Sequence, residues 1–153
     1  MKSYTFGLLQ TNAFKGLKGF TASLLKPYKL TTYEWALLGI LYDEKKGLGT
    51  TNLAKQLKVS KPFITKTIRA LTEKGWVEKS SATETDLRNI RFILTPFALE
   101  EIPKIETHLK TQMKKVLSGI PRLQLLAYVL VLKHISKRLS QSADDSAYEV
   151  EAP

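Results

Sequence analysis

The sequence contains no cysteine, which excludes disulfide bonds, thiolate zinc sites, thiol redox sensors and cysteine nucleophiles. It has only two histidines, His108 and His134, and neither has further ligands at a spacing that suits a metal ion. No nucleophile–base pair and no phosphate-cradling glycine loop is recognisable either. We therefore expect a protein that is not an enzyme and that has neither a metal site nor a cofactor.

A segment long enough to cross a membrane is also missing. The most apolar run is LQLLAYVLVL, residues 123–132, in which nine of ten residues are apolar. Arg122 and Lys133 flank this run, whereas a transmembrane helix needs about 20 apolar residues. The N-terminal residues MKSYTFGLLQTNAF lack the apolar core and the cleavage site of a signal peptide. We therefore expect a soluble, cytoplasmic protein with no membrane partner.

Negative charge is scarce except near the C-terminus. The chain has 24 Lys and Arg residues against 14 Asp and Glu residues, which gives a formal net charge of +10. Residues 140–153 carry four of the acids and no base, so the remainder, residues 1–139, carries +14. A body this basic indicates a polyanionic partner. The alternative is that the charge serves solubility alone.

The apolar pattern that is present is mainly helical. Outside the centre of the chain, apolar periodicity predicts helices over residues 6–25, 96–117 and 121–139. The first of these has apolar residues on more than one face, and such a helix usually packs against more than its own domain. Thr31 and Glu34 form a capping box at the start of another helix. Pro103 lies inside a predicted helix, where a kink or a break is expected.

The segment GTTNLAKQLKVSKPFITKTIRALTEKGW predicts a helix-turn-helix. A short helix over residues 51–57 is followed by the turn KVS, and Ser60 then caps a second helix with Pro62 in its first turn. The inner stripe of this second helix is Ile64, Ile68 and Leu71, and its outer face carries Lys61, Thr65, Lys66 and Arg69. These outer side chains can reach base edges or phosphates when a helix enters the major groove. The pattern predicts a recognition helix, and an ordinary solvated basic face is the alternative.

A hairpin with a long loop follows this helix. The strands are WVEKS and IRFILT, and the loop between them is SATETDLRN. An arginine near the tip of such a hairpin, Arg88, can enter the narrow and electronegative minor groove. Asp86 can stiffen the tip by pairing with Arg88 or with backbone N–H groups of the turn. The alternative is an incidental surface ion pair, which contributes little.

The residues DLRNIRFILT, 86–95, resemble the D-x-R-x-x-x-x-x-L-T wing signature of the MarR family of winged-helix transcriptional regulators. VSKPFITKTIRALTEKGWV resembles that family's recognition helix and first wing strand, and LTTYEWALLGIL resembles its second helix. The resemblance covers residues 30–95 by motif and nearly the whole chain by order of elements. The sequence departs from the family pattern at Leu87, where a second basic residue is common, at Ala98, where glycine is common, and at Pro103.

The resemblance implies how the chain binds DNA. The residues that would face the major groove are Ser60, Lys61, Pro62, Thr65, Lys66 and Arg69. Arg88, braced by Asp86, would enter the minor groove. The expected partners are double-stranded DNA with a pseudo-palindromic operator and a second copy of the chain. The expected fold is mainly α with a small β-hairpin wing, in which N- and C-terminal helices form a dimerisation region beside a winged helix-turn-helix lobe.

The apolar run 123–132 supports dimerisation independently, because a helix that is apolar all round must be buried all round. We expect a single winged-helix regulator domain over residues 1–139. Its dimerisation parts are residues 1–28 and 97–139, and its DNA-binding part is residues 30–96. The acidic segment 140–153 is expected to be a disordered tail.

Family members commonly lose DNA affinity when a small aromatic or anionic molecule enters a cleft between the dimer region and the winged lobe. The candidate lining residues are Phe14, Phe20, Trp35 and Tyr42, although core packing is the favoured interpretation of each. The leading hypothesis is a homodimeric, ligand-responsive DNA-binding regulator. The alternative is a winged-helix module that binds DNA without sequence preference or docks a protein.

Overall fold

The structure of the chain, a computed structural model, describes residues 2–80 and 90–145, with the side chains of residues 3 and 140–145 excepted. It divides into two compact units, Met1–Thr111 and Gln112–Pro153. The helices are α1 (Ser3–Leu25), α2 (Thr32–Asp43), α3 (Thr50–Leu57), α4 (Lys61–Glu73), α5 (Pro96–Val116) and α6 (Arg122–Asp145). A single 3-10 turn, Lys26–Tyr28, links α1 to α2. The strands β1 (Val77–Lys79) and β2 (Phe92–Leu94) pair antiparallel, which confirms the mainly α fold with a small hairpin.

The helix-turn-helix forms as its local signals predict. The α3 helix ends at Lys58 with a left-handed φ of 53°, and α4 begins two residues later at its cap, Ser60. The Ser60 hydroxyl accepts a hydrogen bond from the backbone N–H of Phe63 at 3.4 Å, which satisfies one of the free donors at the helix start. Gly75, with a φ of +77°, follows the end of α4 and turns the chain into β1.

The core of the first unit lies between α2, α3, α4 and α5. Its largest fully buried side chains are Leu25, Leu37, Leu38, Leu53, Ile64, Leu71, Val77 and Ile105. The α1 helix contributes mainly through its C-terminal end, where Leu25 is buried and Leu24 is half-buried. Further towards its N-terminus, Phe6, Leu9 and Leu17 form an apolar stripe at helical spacing, and all three are exposed. This chain alone therefore does not cover the apolar stripe of α1.

The hairpin is anchored to the helices at its base. Val77 pairs with Leu94 and Lys79 with Phe92, and an isolated bridge joins Leu48 to Phe92. The Thr95 hydroxyl donates to the carbonyl oxygen of Gly75 at 2.7 Å and accepts from the N–H of Ala98 at 3.2 Å. Thr95 therefore caps α5 and fixes the end of β2 to the end of α4.

The predicted break at Pro103 is absent, because α5 is continuous from Pro96–Val116 with Pro103 inside it. Proline has no N–H, so the carbonyl of Leu99, four residues earlier, lacks its usual helical donor. Pro103 is exposed and its neighbours Ile102 and Ile105 are buried. The lost hydrogen bond therefore lies on the solvent side of α5, where water can replace it and the buried stripe keeps the helix together.

The last helix is longer than predicted. It continues to Asp145, whereas the sequence pattern ended it near residue 139, so residues 140–145 of the expected tail are helical. No side chain of residues 122–139 is buried, although the segment contains the nine apolar residues of the run 123–132. None of the helices in the described ranges is long and apolar enough to cross a membrane.

Candidate nucleic-acid interface

The outer face of α4 brings together all six residues that the sequence predicted for the major groove. Each of the six is exposed: Ser60, Lys61, Pro62, Thr65, Lys66 and Arg69. The opposite face of the helix is buried at Ile64, Thr67, Ile68 and Leu71. Because the buried stripe holds the helix on the core, the cationic and hydroxyl-bearing side chains all face solvent on one side of a rigid element.

Two hydroxyl groups on this face have partners within the helix. The Ser60 oxygen accepts from Phe63, so its own O–H hydrogen stays available to donate to a phosphate. The Thr65 hydroxyl donates to the carbonyl oxygen of Lys61 at 3.0 Å. Thr65 therefore presents its methyl group and the acceptor side of its oxygen to a partner.

Arg69 is the one member of the face with an acidic partner among the ion pairs of the described residues. Its Nε donates to Oε1 of Glu73 at 2.9 Å, one helical turn away, and both side chains are largely exposed. An exposed pair at this spacing contributes at most a few tenths of a kcal/mol, roughly 0.3–0.5. The bond uses only Nε, so the two terminal nitrogens of Arg69 remain free to form a bidentate contact.

The C-terminal end of α4 is joined to the start of α2 through a buried carboxylate. Lys74 Nζ donates to Glu34 Oε1 at 2.7 Å and to the carbonyl oxygen of Lys29 at 2.8 Å. The other oxygen of Glu34 accepts from the N–H of Thr31 at 2.8 Å, and the Thr31 hydroxyl accepts from the N–H of Glu34 at 3.2 Å. The predicted capping box is thus confirmed, and the same carboxylate also positions α4.

Sequence reasoning missed this second role of Glu34. Glu34 and Lys74 are 40 residues apart, and no local pattern connects them. It also missed an aromatic contact between Tyr33 at the start of α2 and Phe63 in the first turn of α4. Their ring centroids are 5.1 Å apart with an interplanar angle of 73°. The available signal was a phenylalanine that lies outside the inner apolar stripe of a predicted DNA-binding helix.

The two predicted wing residues, Asp86 and Arg88, lie outside the described residues. The base of the hairpin is described, and the N–H of Ser80 donates to the carbonyl oxygen of Arg91 at 2.9 Å just beyond β1. Leu48 and Phe92 exchange two backbone hydrogen bonds at 3.1 and 2.9 Å on the other side of β2. The strand β2 is therefore hydrogen-bonded on one edge to β1 and on the other edge to Leu48.

A cleft of about 540 Å³ lies between α2 and α5 in the first unit. Two of the four predicted ligand residues, Trp35 and Tyr42, line it, together with Ile102, Glu106 and Lys110 among others. Trp35 is half-buried against the core, whereas Tyr42 is exposed. The core interpretation is therefore wrong for Tyr42.

The other two predicted ligand residues, Phe14 and Phe20, do not line this cleft. Both belong to α1, where Phe14 is exposed and Phe20 is half-buried, so the core interpretation is wrong for Phe14 as well. Of the two histidines, His108 makes an edge contact with the ring of Tyr28, with centroids 6.4 Å apart. Within residues 2–80 and 90–145 no cluster of side chains has the composition of a metal site.

Comparison with known proteins agrees with this architecture. Residues 30–90 match the model of the MarR family. A MarR protein from Peptoclostridium difficile has a TM-score of 0.76 at 20% identity, with 93% of this chain and 91% of that chain covered. MepR from S. aureus, solved as a DNA complex, has a TM-score of 0.74 at 18% identity, with 91% and 99% covered.

A third similar structure is NadR in complex with 4-hydroxyphenylacetate, with a TM-score of 0.73 at 19% identity and 91% and 98% of the two chains covered. Identities this low show a shared fold. The sequence match is carried by the segment that contains α2, the helix-turn-helix and the first wing strand. The chain is therefore similar to the MarR family over residues 30–90, and it shares the fold of these three structures over at least 91% of its length.

Proposed function

We propose that the protein is a homodimeric, sequence-specific DNA-binding transcriptional regulator that lays α4 in the major groove. The observation that carries this proposal is the outer face of α4, where all six predicted contact residues are exposed on a capped helix. MepR, which has the same fold, is known as a complex with DNA. Lys61, Lys66 and Arg69 supply the positive charge that phosphates and guanine edges attract.

Arg88 enters the minor groove in this proposal, and Asp86 restrains it. The support comes from the sequence signature DLRNIRFILT and from the position of these residues between two paired strands. Because β2 is hydrogen-bonded on both sides at its base, the chain that leads from Arg88 into the protein is firmly held. A restrained arginine loses less conformational entropy on binding than one in a loose loop.

Dimerisation is supported by apolar surface that the single chain leaves exposed. The large apolar side chains of α6 include Leu126, Val129 and Leu130, all exposed. A symmetric dimer places two recognition helices about 34 Å apart, the spacing of successive major grooves on one side of DNA. The operator is therefore an inverted repeat.

A small aromatic or anionic effector would bind in the cleft between α2 and α5 and release the DNA. Trp35 supplies an aromatic wall, and Lys110 supplies a cation that Glu106 holds at 3.2 Å. NadR, with the same fold, binds the aromatic anion 4-hydroxyphenylacetate. Phe14 and Phe20 belong to the proposed effector site only if α1 approaches the cleft in the dimer.

The test is selection of bound duplexes from a random pool, followed by affinity measurements over a range of salt concentrations. The selected duplex should contain an inverted repeat and bind far more tightly than random duplex. Replacing Lys66 with Gln should reduce the log–log salt slope by about 0.9 per subunit, because one phosphate contact is lost. The matched control is Lys104→Gln on α5, which removes an exposed lysine away from α4 and should leave the slope unchanged.

Arg88→Ala should weaken binding to the selected duplex without lowering the melting temperature. Equal affinity for selected and random duplexes would contradict the regulator proposal and favour the alternative, a sequence-neutral DNA-binding module. Footprinting separates the two, since a regulator protects discrete sites and an architectural protein covers DNA continuously. Unchanged affinity for Arg88→Ala would remove the wing from the mechanism.

A further inference from the structure

Phe63 is an apolar ring on a helix face that is otherwise polar and cationic. It lies in the first turn of α4 and is 38% exposed, beside the outer face that carries Lys66. The core does not need it, because the buried stripe of α4 is complete with Ile64, Ile68 and Leu71. Phe63 therefore adds an exposed apolar ring to the start of a cationic helix face.

One contact restrains the ring of Phe63, and two hydrogen bonds restrain its backbone. Tyr33 packs against it edge to face, with ring centroids 5.1 Å apart. The backbone N–H of Phe63 donates to Ser60 Oγ, and its carbonyl oxygen accepts from Thr67 Oγ1 at 2.8 Å. A ring fixed in this way loses little conformational entropy when a partner covers it.

The first turn of a recognition helix is the part that approaches base edges. On the major-groove edge of the bases, the C5-methyl group of thymine is the apolar feature, and a phenylalanine ring is a suitable contact for it. We propose that Phe63 recognises a C5-methylpyrimidine in each half-site and that Tyr33 positions its ring. This inference rests on the proposed function, because it requires α4 to lie in the major groove.

The test uses the duplex that the wild-type protein selects from a random pool. Each thymine is replaced singly by deoxyuridine, which removes the methyl group and keeps base pairing and all hydrogen-bonding groups. Wild-type affinity should fall about fourfold at one thymine per half-site, because burial of one methyl-sized group changes an affinity by about that factor. Phe63→Ala should bind the unmodified duplex more weakly and show no further loss at that thymine.

The matched control is Phe97→Ala on α5. Phe97 is also exposed, at 52%, and also packs edge to face on a neighbour, Trp76, with centroids 5.0 Å apart. This variant removes the same amount of side chain from the same compact unit. Phe97→Ala should keep the fourfold sensitivity to deoxyuridine. If Phe97→Ala lost this sensitivity to the same extent as Phe63→Ala, the assignment of Phe63 would be overturned.

Tyr33 is tested as a positioning residue by two substitutions. Tyr33→Phe keeps the ring that contacts Phe63 and should retain the sensitivity to deoxyuridine. Tyr33→Ala removes the ring, so the variant should bind the thymine and deoxyuridine duplexes with nearly equal affinity. Its salt slope should stay the same as that of the wild-type protein. A purely structural role of Tyr33 would lower affinity for the thymine and deoxyuridine duplexes equally, and that result would overturn its positioning role.

A second pair of duplexes tests whether the methyl group of 5-methylcytosine is recognised in the same way as that of thymine. At the sensitive step a C·G pair is compared with 5-methylcytosine·G, and wild-type protein should bind the methylated duplex about fourfold more tightly. A deoxyuridine series without effect on wild-type binding would overturn the role of Phe63 and leave the regulator proposal standing. Failure to select any duplex would overturn both.

Discussion

Lys74 is one third exposed, and its ammonium group lies against a carboxylate whose side chain is only 7% exposed. Two protein donors, the N–H of Thr31 and the ammonium group of Lys74, therefore replace most of the hydration of the Glu34 carboxylate. A carboxylate that is nearly buried is stable only while its partners stay in place, because an unpaired buried charge is costly. At the scale of single residues, this contact fixes the C-terminal end of α4.

Lys74→Met should lower the free energy of unfolding by about 2 kcal/mol. This is less than the 3–5 kcal/mol of a fully buried pair, because Lys74 is partly solvated. Urea denaturation followed by circular dichroism measures the change. The control is Lys104→Met, which removes the pairs that an exposed lysine forms with Glu100 and Glu101 and should change stability far less. Equal effects of the two substitutions would show that the Glu34 contact does not stabilise α4.

The helices show which structural signals can be read locally. Thr31 and Ser60 were correctly placed at helix starts, because a cap depends on residues only three positions away. The outward direction of the cationic residues of α4 followed from the spacing of its buried stripe. The hairpin strands were also recognised, and their register is fixed by the Val77 and Leu94 pairing near the sheet base.

Other features depend on contacts between distant segments, and the sequence did not predict them. The Glu34–Lys74 pair and the bridge between Leu48 and Phe92 each join segments 40 or more residues apart. The α2–α5 cleft is likewise formed by two helices that are remote in sequence, so its lining was predicted only in part. A kink or a break was expected at Pro103, and the break is absent because the buried stripe of α5 outweighs the local effect of proline.

At the scale of an element, Pro103 destabilises α5 because it removes one helical hydrogen bond. Pro103→Ala should raise the free energy of unfolding by about 1–3 kcal/mol, because it restores the donor to the carbonyl of Leu99. Thermal and urea denaturation measure the gain. Pro62→Ala is the control, because Pro62 lies in the first turn of α4, where no helical hydrogen bond is lost. No gain for Pro103→Ala would mean that the local backbone has already adjusted to the proline.

At the scale of the whole molecule, the two terminal helices both leave apolar side chains exposed. No described side chain of α6 up to residue 139 is buried, and Leu123, Leu130 and Leu139 are each at least 65% exposed. The N-terminal half of α1 is exposed and apolar as well. Apolar side chains exposed along each of these helices are typical of protein interfaces. The proposed dimer therefore needs both terminal helices, although residues 30–90 alone carry the family match.

Leu130→Lys should convert the proposed dimer into a monomer. The side chain is 65% exposed in the single chain, so a lysine is tolerated by the folded protomer but places a charge inside the proposed interface. Sedimentation velocity should show half the wild-type mass, and circular dichroism should show an unchanged melting profile at low concentration. Tyr42→Lys, at an exposed aromatic of α2 outside the proposed interface, should remain dimeric.

The same substitution tests how the two half-sites cooperate. A dimer binds the second half-site intramolecularly, so separating the subunits should weaken binding to an inverted repeat by about 10²–10⁴-fold. Binding of the Leu130→Lys monomer to a single half-site should match the wild-type affinity for that half-site, because the outer face of α4 is unchanged. If Leu130→Lys stayed dimeric and bound the inverted repeat with full affinity, α6 would not be the dimer interface, and the surface it exposes would have to serve a different partner.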